Sequence, residues 1–332
     1  MENAPGARAG MITFFTTAKP FVGHSAVIQR NALESWKLLH PDVEVILFGD
    51  DEGAAEVCAE LGLRHVPEVA ANPSGTKRLD AIFVSAQKLA RHEMVCYCNC
   101  DIVLTSEFVA AVAELRKWRE RFLMIGRRWD TDVSTPIDFS RGEWDKELLA
   151  RAHATGFQRG FHNIDYFVFP RGLYTEMPPL VIGRVGWDPW VVGKAHALGV
   201  AVVDASERVT AVHQNHDYGY HPQGMTGVWE DEEARRNAQL ARGIRLMTIE
   251  DAPWRLTASG VEKKPFSWLA PAKRRWRDCA AVVGGRWRTW LWHPFLNLTR
   301  PLRHALGFRQ STFKPSNVET FQQSKRRHPL DR

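Results

Sequence analysis

Along the first two thirds of the chain, short apolar runs alternate with longer stretches whose apolar residues recur at steps of three and four. "MITFFTTAKP" is an apolar run entering a polar loop and predicts a buried first strand. In "GHSAVIQRNALESWKLLH", Val27, Leu33 and Trp36 keep helical spacing, and a proline follows to stop the helix. "DVEVILFGDD", with its β-branched residues, predicts a second strand, and "EGAAEVCAELG" a short helix. "GTKRLDAIFVSAQKLARH" predicts another helix, and "MVCYCNCDIVL" one continuous strand after it. "SEFVAAVAELRKW" opens on a Ser N-cap beside an acidic residue and continues as a helix. "FLMIGRRW", "NIDYFVFP" and "VAVVDA" read as further strands and "PWVVGKAHALG" as a helix. Strands separated by helices of this length predict an α/β fold, with a doubly wound, mostly parallel sheet flanked by helices. Such sheets bind ligands beyond the carboxyl ends of their strands.

The pattern weakens from about Glu230, and from Pro271 the chain becomes basic and rich in Trp. Three regions are expected: a main domain over 10–229, an irregular connecting segment over 230–270, and a tail over 271–332. Net charge is +6, and it is uneven, since Pro271–Arg332 carries 14 basic and 3 acidic residues. The main body is therefore mildly acidic. In the tail, Trp276, Ala280, Val283, Trp287 and Trp290 form one apolar stripe, with the arginines mostly elsewhere. Such a basic amphipathic helix suits an anionic membrane surface, although Gly284 and Gly285 would hinge it. Packing of the stripe against the main domain is the competing reading. No recognition module accompanies the charge, so nucleic acid is not an expected partner.

Hydrophobic content of 44% and charged content of 25% are ordinary for a globular protein. No apolar run reaches the roughly 18–20 residues that a spanning helix needs, and the first residues lack the pattern of a secretory signal. Five cysteines, an odd number with three close together, do not suggest a disulfide framework. The expected location is the cytoplasm, with attachment to the inner face of a membrane through the tail.

Cys96, Cys98 and Cys100 stand at CxCxC spacing in the expected strand. A strand projects such sulfurs from one face about 6–7 Å apart, too far for one ion, whereas metal sites generally use CxxC turns. The thiols are therefore read as small apolar filling. Asn99 and Asp101 differ, because a carboxylate at the end of a buried strand needs a partner. Asp101 is either a turn or cap residue before "TSEF" or an oxygen ligand for Mg²⁺ or Mn²⁺.

With "YCNCDIVL" at a strand end, followed by "DYFVFPRGLY", "GRVGWDPWVV" and "VTAVHQNHDYGYH", the chain resembles the GT-A class of glycosyltransferases, the nucleotide-diphospho-sugar transferase superfamily. The resemblance spans roughly Ile12 to His221. No GxGxxG or P-loop pattern competes with it. It implies a GT-A-like fold and a metal-assisted, hexosyltransferase-like enzyme that moves a sugar from a nucleotide-diphospho-sugar, a UDP-sugar by preference, to a hydroxyl acceptor such as a glycan. It further implies that Thr16, Thr17 and Lys19 border the nucleotide and that Asp50 holds its uracil or ribose. Lys77 and Arg78 would contact phosphate and Asp80 the donor sugar. Asp101 and His213 would hold the metal, with His216 as a further ligand, and the imidazoles favour Mn²⁺ over Mg²⁺. Asn99 departs from the Asp-x-Asp pattern. It can meet a ribose or coordinate through its carbonyl, but one negative charge is missing.

Two carboxylates are candidates for the chemistry. Asp188 in "GWDPW" is flanked by Trp187 and Trp190 and suits a general base for inverting transfer, or a helix cap before Pro189. Asp165 in "HNIDYFVF" is either a donor or acceptor contact or an edge-strand Asp. "HQNHDYGYH" also concentrates Tyr218, Tyr220 and His221. A sugar-phosphate nucleotidylyltransferase is a weaker alternative, because "TTAKPFVGH" is a poor phosphate loop. The alternative outside the enzymes is a non-catalytic peripheral membrane or carbohydrate-binding protein that keeps the fold.

Overall fold

A computed structural model of the chain describes residues 12–216 and 230–265. The first strands and helices alternate as the apolar pattern predicts, with one short strand, β3, that it does not: β1 (Ile12–Thr17), α1 (Gly23–Leu38), β2 (Glu44–Phe48), α2 (Ala54–Leu61), β3 (Arg64–Val66), α3 (Leu79–Leu89) and β4 (Met94–Cys98). There follow β5 (Ile102–Val103), α4 (Ser106–Trp118), β6 (Phe122–Ile125), β7 (Arg128–Thr131), α5 (Trp144–Thr155) and β8 (Phe157–Gln158). The rest comprises β9 (Tyr166–Pro170), α6 (Trp187–Ala197), β10 (Ala201–Asp204), β11 (Ala211–Gln214), α7 (Glu232–Leu240), β12 (Trp254–Thr257) and β13 (Gly260–Lys263).

Nine strands form the main sheet in the order β13-β12-β10-β6-β9-β4-β1-β2-β3. Its pairs are parallel except where β9 runs against β4 and β6, and where β13 folds back on β12. Both faces of its central strands are covered, which is why these read as continuous apolar runs rather than alternating ones. Ile12, Phe14, Val45, Leu47, Cys96 and Cys98 face the layer that contains α1, α2 and α4. Phe15, Ile46, Phe48, Val95 and Tyr97 face the layer with α3 and α6. The fold class is thus the α/β, mostly parallel, helix-flanked sheet that the sequence predicts.

The cysteines sit among large rings. Phe14 stacks on Trp36 with centroids 5.2 Å apart and packs on Phe108 at 5.5 Å. The register places Cys96 between Phe14 of β1 and Val168 of β9, and Cys98 opposite Tyr166. A small thiol beside each bulky partner keeps the layer dense. All three are buried free thiols whose pKa burial drives well upward.

Three expectations are corrected. "MVCYCNCDIVL" is not one strand: β4 stops at Cys98, the chain turns through Asn99–Asp101, and β5 joins a second sheet. That sheet has the order β5-β11-β7-β8, and α5 packs on it through Leu148 and Ala152 against Val103 and Val212. The helix α4 is capped by Thr105, not Ser106, and without a side-chain bond. Residues 230–264 are not an irregular connection. They build α7 and the hairpin β12–β13, which extends the main sheet, and Met1–Lys264 forms one compact unit. Polar spacing hid them: α7 buries little beyond Ala234 and Asn237. The Trp-rich tail and Tyr218, Tyr220 and His221 lie outside the described residues.

Candidate functional site

The turn between the two sheets is where the candidate residues converge. Asn99 N–H donates to the Asp165 carbonyl at 2.9 Å and Ile102 N–H to the Asn99 carbonyl at 3.1 Å, which ends β4 and sends the chain into β5. Asp101, in that turn, is held from behind by Gln214. The backbone N–H of Gln214 donates to the Asp101 carbonyl at 3.1 Å, and its side-chain amide to the same oxygen at 3.2 Å. Gln214 is completely buried, donates also to Ile28 O at 2.7 Å, and accepts from Asn31 at 2.8 Å. This clamp fixes which way the Asp101 carboxylate faces.

Its Oδ2 lies 3.1 Å from His216 Nε2 and 3.7 Å from His213 Nε2. One ligand atom from each of the three residues falls within 4.8 Å of the others. Ligands about 2.1 Å from a metal stand roughly 3.0–3.4 Å apart at octahedral or tetrahedral angles, so the two Asp101 spacings need little adjustment. Asp101 Oδ1 is buried without a hydrogen-bond partner. Such an orphan costs about 1–3 kcal/mol, and a cation would relieve it. Burial alone would raise the Asp101 carboxyl, yet the charges of His213 and His216 hold it well below the usual carboxylate range. The donor set therefore fits a divalent ion.

The register explains why His213 points there. Parallel pairing of β11 with β7 sets His213 beside Asp130, and antiparallel pairing with β5 sets it beside Ile102. His213 Nδ1 is 3.2 Å from Asp130 Oδ1, in bonding range although the approach is off line. Arg128, two residues earlier on the same face of β7, donates to Asp130 Oδ1 at 2.8 Å and to Asp165 Oδ1 at 3.0 Å. Arg159 bonds the other Asp130 oxygen. Burial would raise the Asp130 carboxyl, but the bond to His213 and the charges of Arg128 and Arg159 hold it down at about 2. Sequence reasoning missed Arg128 and Asp130. Their signal was the alternation in "RRWDTD", with charged residues either side of Trp129.

Asp165 is buried at the start of β9, an interior strand, so the edge-strand reading is wrong. Its Oδ1 also accepts from Asn99 Nδ2 at 2.7 Å, and its Oδ2 is buried without a partner. Asp188 lies in the first turn of α6 and is not its cap, a position taken by Gly186. The residue is partly buried, and burial with the nearby Asp165 charge raises its pKa to about 7. Trp187 packs on Tyr97 and Phe167 at 5.3 and 5.4 Å between centroids, so both flanking Trp residues belong to the core.

At the neighbouring strand ends, Thr16 is buried and Thr17 Oγ1 has no partner. The Lys19 charge is felt by Asp101. Lys77 pairs with Asp51 and donates to Ala18 O at 3.2 Å, linking the ends of β1 and β2. Gly49 (φ 107°) permits this approach, because a Cβ there would fall 2.5 Å from Lys77 Cε. Asp50 is exposed and outside this knot; its neighbour Asp51 occupies it. Arg78 and Asp80 grip one another at 3.0 and 2.5 Å.

No protein family and no curated protein matches the sequence. Among solved structures, the chain is similar to glucosyl-3-phosphoglycerate synthase of Mycobacterium tuberculosis, with 14% identity over 79% of this chain and 90% of that one and a TM-score of 0.45. Against the same enzyme in complex with Mn²⁺, uridine diphosphate and phosphoglyceric acid the values are 15%, 80%, 93% and 0.45. A mycobacterial protein gives 15% identity over 72% of this chain and 77% of its own, with a TM-score of 0.43. Similarity this low does not extend to residues or chemistry.

Proposed function

We propose that the protein is a metal-assisted glycosyltransferase that takes a sugar from a nucleotide-diphospho-sugar and passes it to a hydroxyl acceptor. The observation that carries this is the meeting of Asp101, His213 and His216 at the strand ends, with an orphaned carboxylate oxygen among them. The Asp101 carboxylate and the two Nε2 atoms would hold the ion, which when bound offsets the charge of a leaving diphosphate. Thr16, Thr17, Lys19 and the Lys77–Asp51 pair line the adjoining strand ends and would receive the nucleotide. Asp165 Oδ2, buried and free to accept, suits a sugar or acceptor hydroxyl. Asp188, with its pKa near neutrality, suits a general base that takes the acceptor's proton. That role belongs to inverting transfer.

A UDP-hexose donor and Mn²⁺ are the finer form of the proposal. The imidazoles among the candidate ligands support Mn²⁺. Among the described residues no helix is long and apolar enough to cross a membrane. Attachment of the basic tail to the cytoplasmic face of an anionic membrane rests on the sequence alone. Calorimetry with UDP- and GDP-sugars, with and without Mn²⁺, tests the reading. Metal-dependent binding of one donor, lost in Asp101→Ala, is the expected result. Binding of no nucleotide, or wild-type affinity and turnover in the variant, would refute it.

A further inference from the structure

Beside the metal-ligand candidates lies a second group of buried charges, two of which, Asp130 and Arg128, have been given no role. Asp130, Arg128 and Asp165 are 7%, 8% and 4% exposed, and each touches the next. Asp130 is the only one facing His213, through the parallel register of β7 and β11. His213 turns its two ring nitrogens to two carboxylates, with Nδ1 at 3.2 Å from Asp130 and Nε2 at 3.7 Å from Asp101. A histidine that binds metal through one nitrogen is generally oriented by an acceptor at the other.

We propose that Asp130 is the positioning residue for His213, and that Arg128 ties this support to Asp165 so that the metal pocket and the hydroxyl-binding pocket are held as one unit. The inference rests on the proposed function. Asp130 Oδ1 serves both His213 and Arg128, while Arg128 reaches on to Asp165 Oδ1, which also receives the Asn99 amide. Charge alternates along the path, so Asp130, Arg128 and Asp165 each have an opposite charge beside them. Asp130 also offsets two guanidiniums, Arg128 and Arg159, that would otherwise oppose a cation beside His213. The sheet register supplies the geometry: Arg128 and Asp130 share one face of β7, and Trp129 turns to the other, against His153 at 4.8 Å.

The test compares full-length wild type, Asp130→Ala and Asp130→Asn by Mn²⁺ calorimetry, by UDP binding under chelator, and by thermal unfolding. Asp130→Ala is expected to weaken Mn²⁺ binding by roughly 10–100-fold while metal-free UDP binding is unchanged. Asp130→Asn keeps an acceptor oxygen and is expected to lose less; should the alanine variant not fold, it alone decides, by a measurable loss of Mn²⁺ affinity. Wild-type Mn²⁺ affinity in a folded variant overturns the inference and leaves the proposed function standing. Parallel loss of Mn²⁺ and metal-free UDP binding makes Asp130 a fold residue and also overturns it. A wild type that binds no Mn²⁺, with or without UDP, removes the metal-assisted reading itself, and this inference with it.

Discussion

Asn99 donates its side-chain amide to Asp165 at 2.7 Å, and the two backbones are joined by a bond from Asn99 N–H to Asp165 O. The pairing gives the missing charge at position 99 a physical reason. A carboxylate there would face a second buried carboxylate across hydrogen-bond distance, and two such groups cannot both ionise. Asn99→Asp is therefore expected to destabilise the protein by about 1–3 kcal/mol at pH 8. The deficit should shrink toward pH 5 as the pair takes up a proton. Urea unfolding at the two pH values measures this; equal stability at both would show that Arg128 alone absorbs the added charge.

Asp188 carries the clearest pH signature. Its folded pKa of about 7 stands above the ordinary 3.8, so the native state holds its proton more tightly than the unfolded state. The sign is thus opposite to that of a salt-bridged carboxylate: its penalty on folding grows as pH rises from about 4 and levels off above about 7. Asp188→Asn should raise the melting temperature, and more at pH 8 than at pH 5. If Asp188 is the base, kcat/KM of the wild type should rise with pH to a plateau with a midpoint near 7, and the variant should lose this limb together with most of its turnover. A variant with full activity would exclude Asp188 from the chemistry.

Much of this arrangement was legible in the sequence, and the parts that were not have identifiable causes. The central strands of the main sheet, such as β1, β2 and β4, are buried on both faces, so their apolar runs were unmistakable. Asp101, His213 and His216, which the structure brings together, stood out because one was expected at a strand end and the others belong to a histidine cluster. By contrast, β7 is short and charged on one face, and its partner β11 is contiguous with a polar loop. Nothing local in "RRWDTD" reveals a parallel neighbour more than eighty residues away. The hairpin β12–β13 was missed for a related reason, since a partly exposed sheet edge needs no apolar run. Asp50 closes "LFGD" and was expected at the nucleotide, yet the turn after Gly49 gives the contact with Lys77 to Asp51.

Gln214 escaped notice as an ordinary polar residue, although it clamps the Asp101 turn. Gln214→Leu removes two donated bonds and takes from Asn31 one of its two acceptors, leaving it only Thr135 O. The expected loss is about 2–4 kcal/mol, from unsatisfied buried groups at about 1–3 kcal/mol each, offset in part by the apolar side chain. Metal affinity should fall as well, because the carboxylate's aim depends on that carbonyl. Denaturant unfolding with Mn²⁺ titration checks both. Unchanged metal affinity in a destabilised variant would separate the clamp from the site.

The three crowded cysteines should be chemically silent. Burial raises the pKa of all three, so the reactive thiolate is scarce. A thiol reagent applied to the native protein, followed by peptide mapping, should leave Cys96, Cys98 and Cys100 unmodified until denaturant is added. Cys98→Ala should bind Mn²⁺ as the wild type does. Loss of the metal in that variant would restore the thiol-site reading.

Metal preference separates this donor set from an all-oxygen one. A pair of aspartates offers hard oxygen ligands and two charges, which suit Mg²⁺; here one carboxylate is joined by two imidazoles. Nitrogen ligands strengthen binding of transition ions more than of Mg²⁺, while the lost charge weakens both. Without nucleotide, Mn²⁺ and Co²⁺ should therefore bind at least roughly tenfold more tightly than Mg²⁺, a difference of about 1.4 kcal/mol. His216→Ala should narrow that gap, because it removes an imidazole and leaves the Asp101 oxygen. His213→Ala should narrow it as well, and should also release Asp130 from its ring contact. Competition of Mg²⁺ against bound Mn²⁺, followed by electron paramagnetic resonance, reads the ratio directly. Equal affinities in the wild type would mean that neither imidazole reaches the ion, and Asp101 would then be left with oxygen ligands from the nucleotide alone.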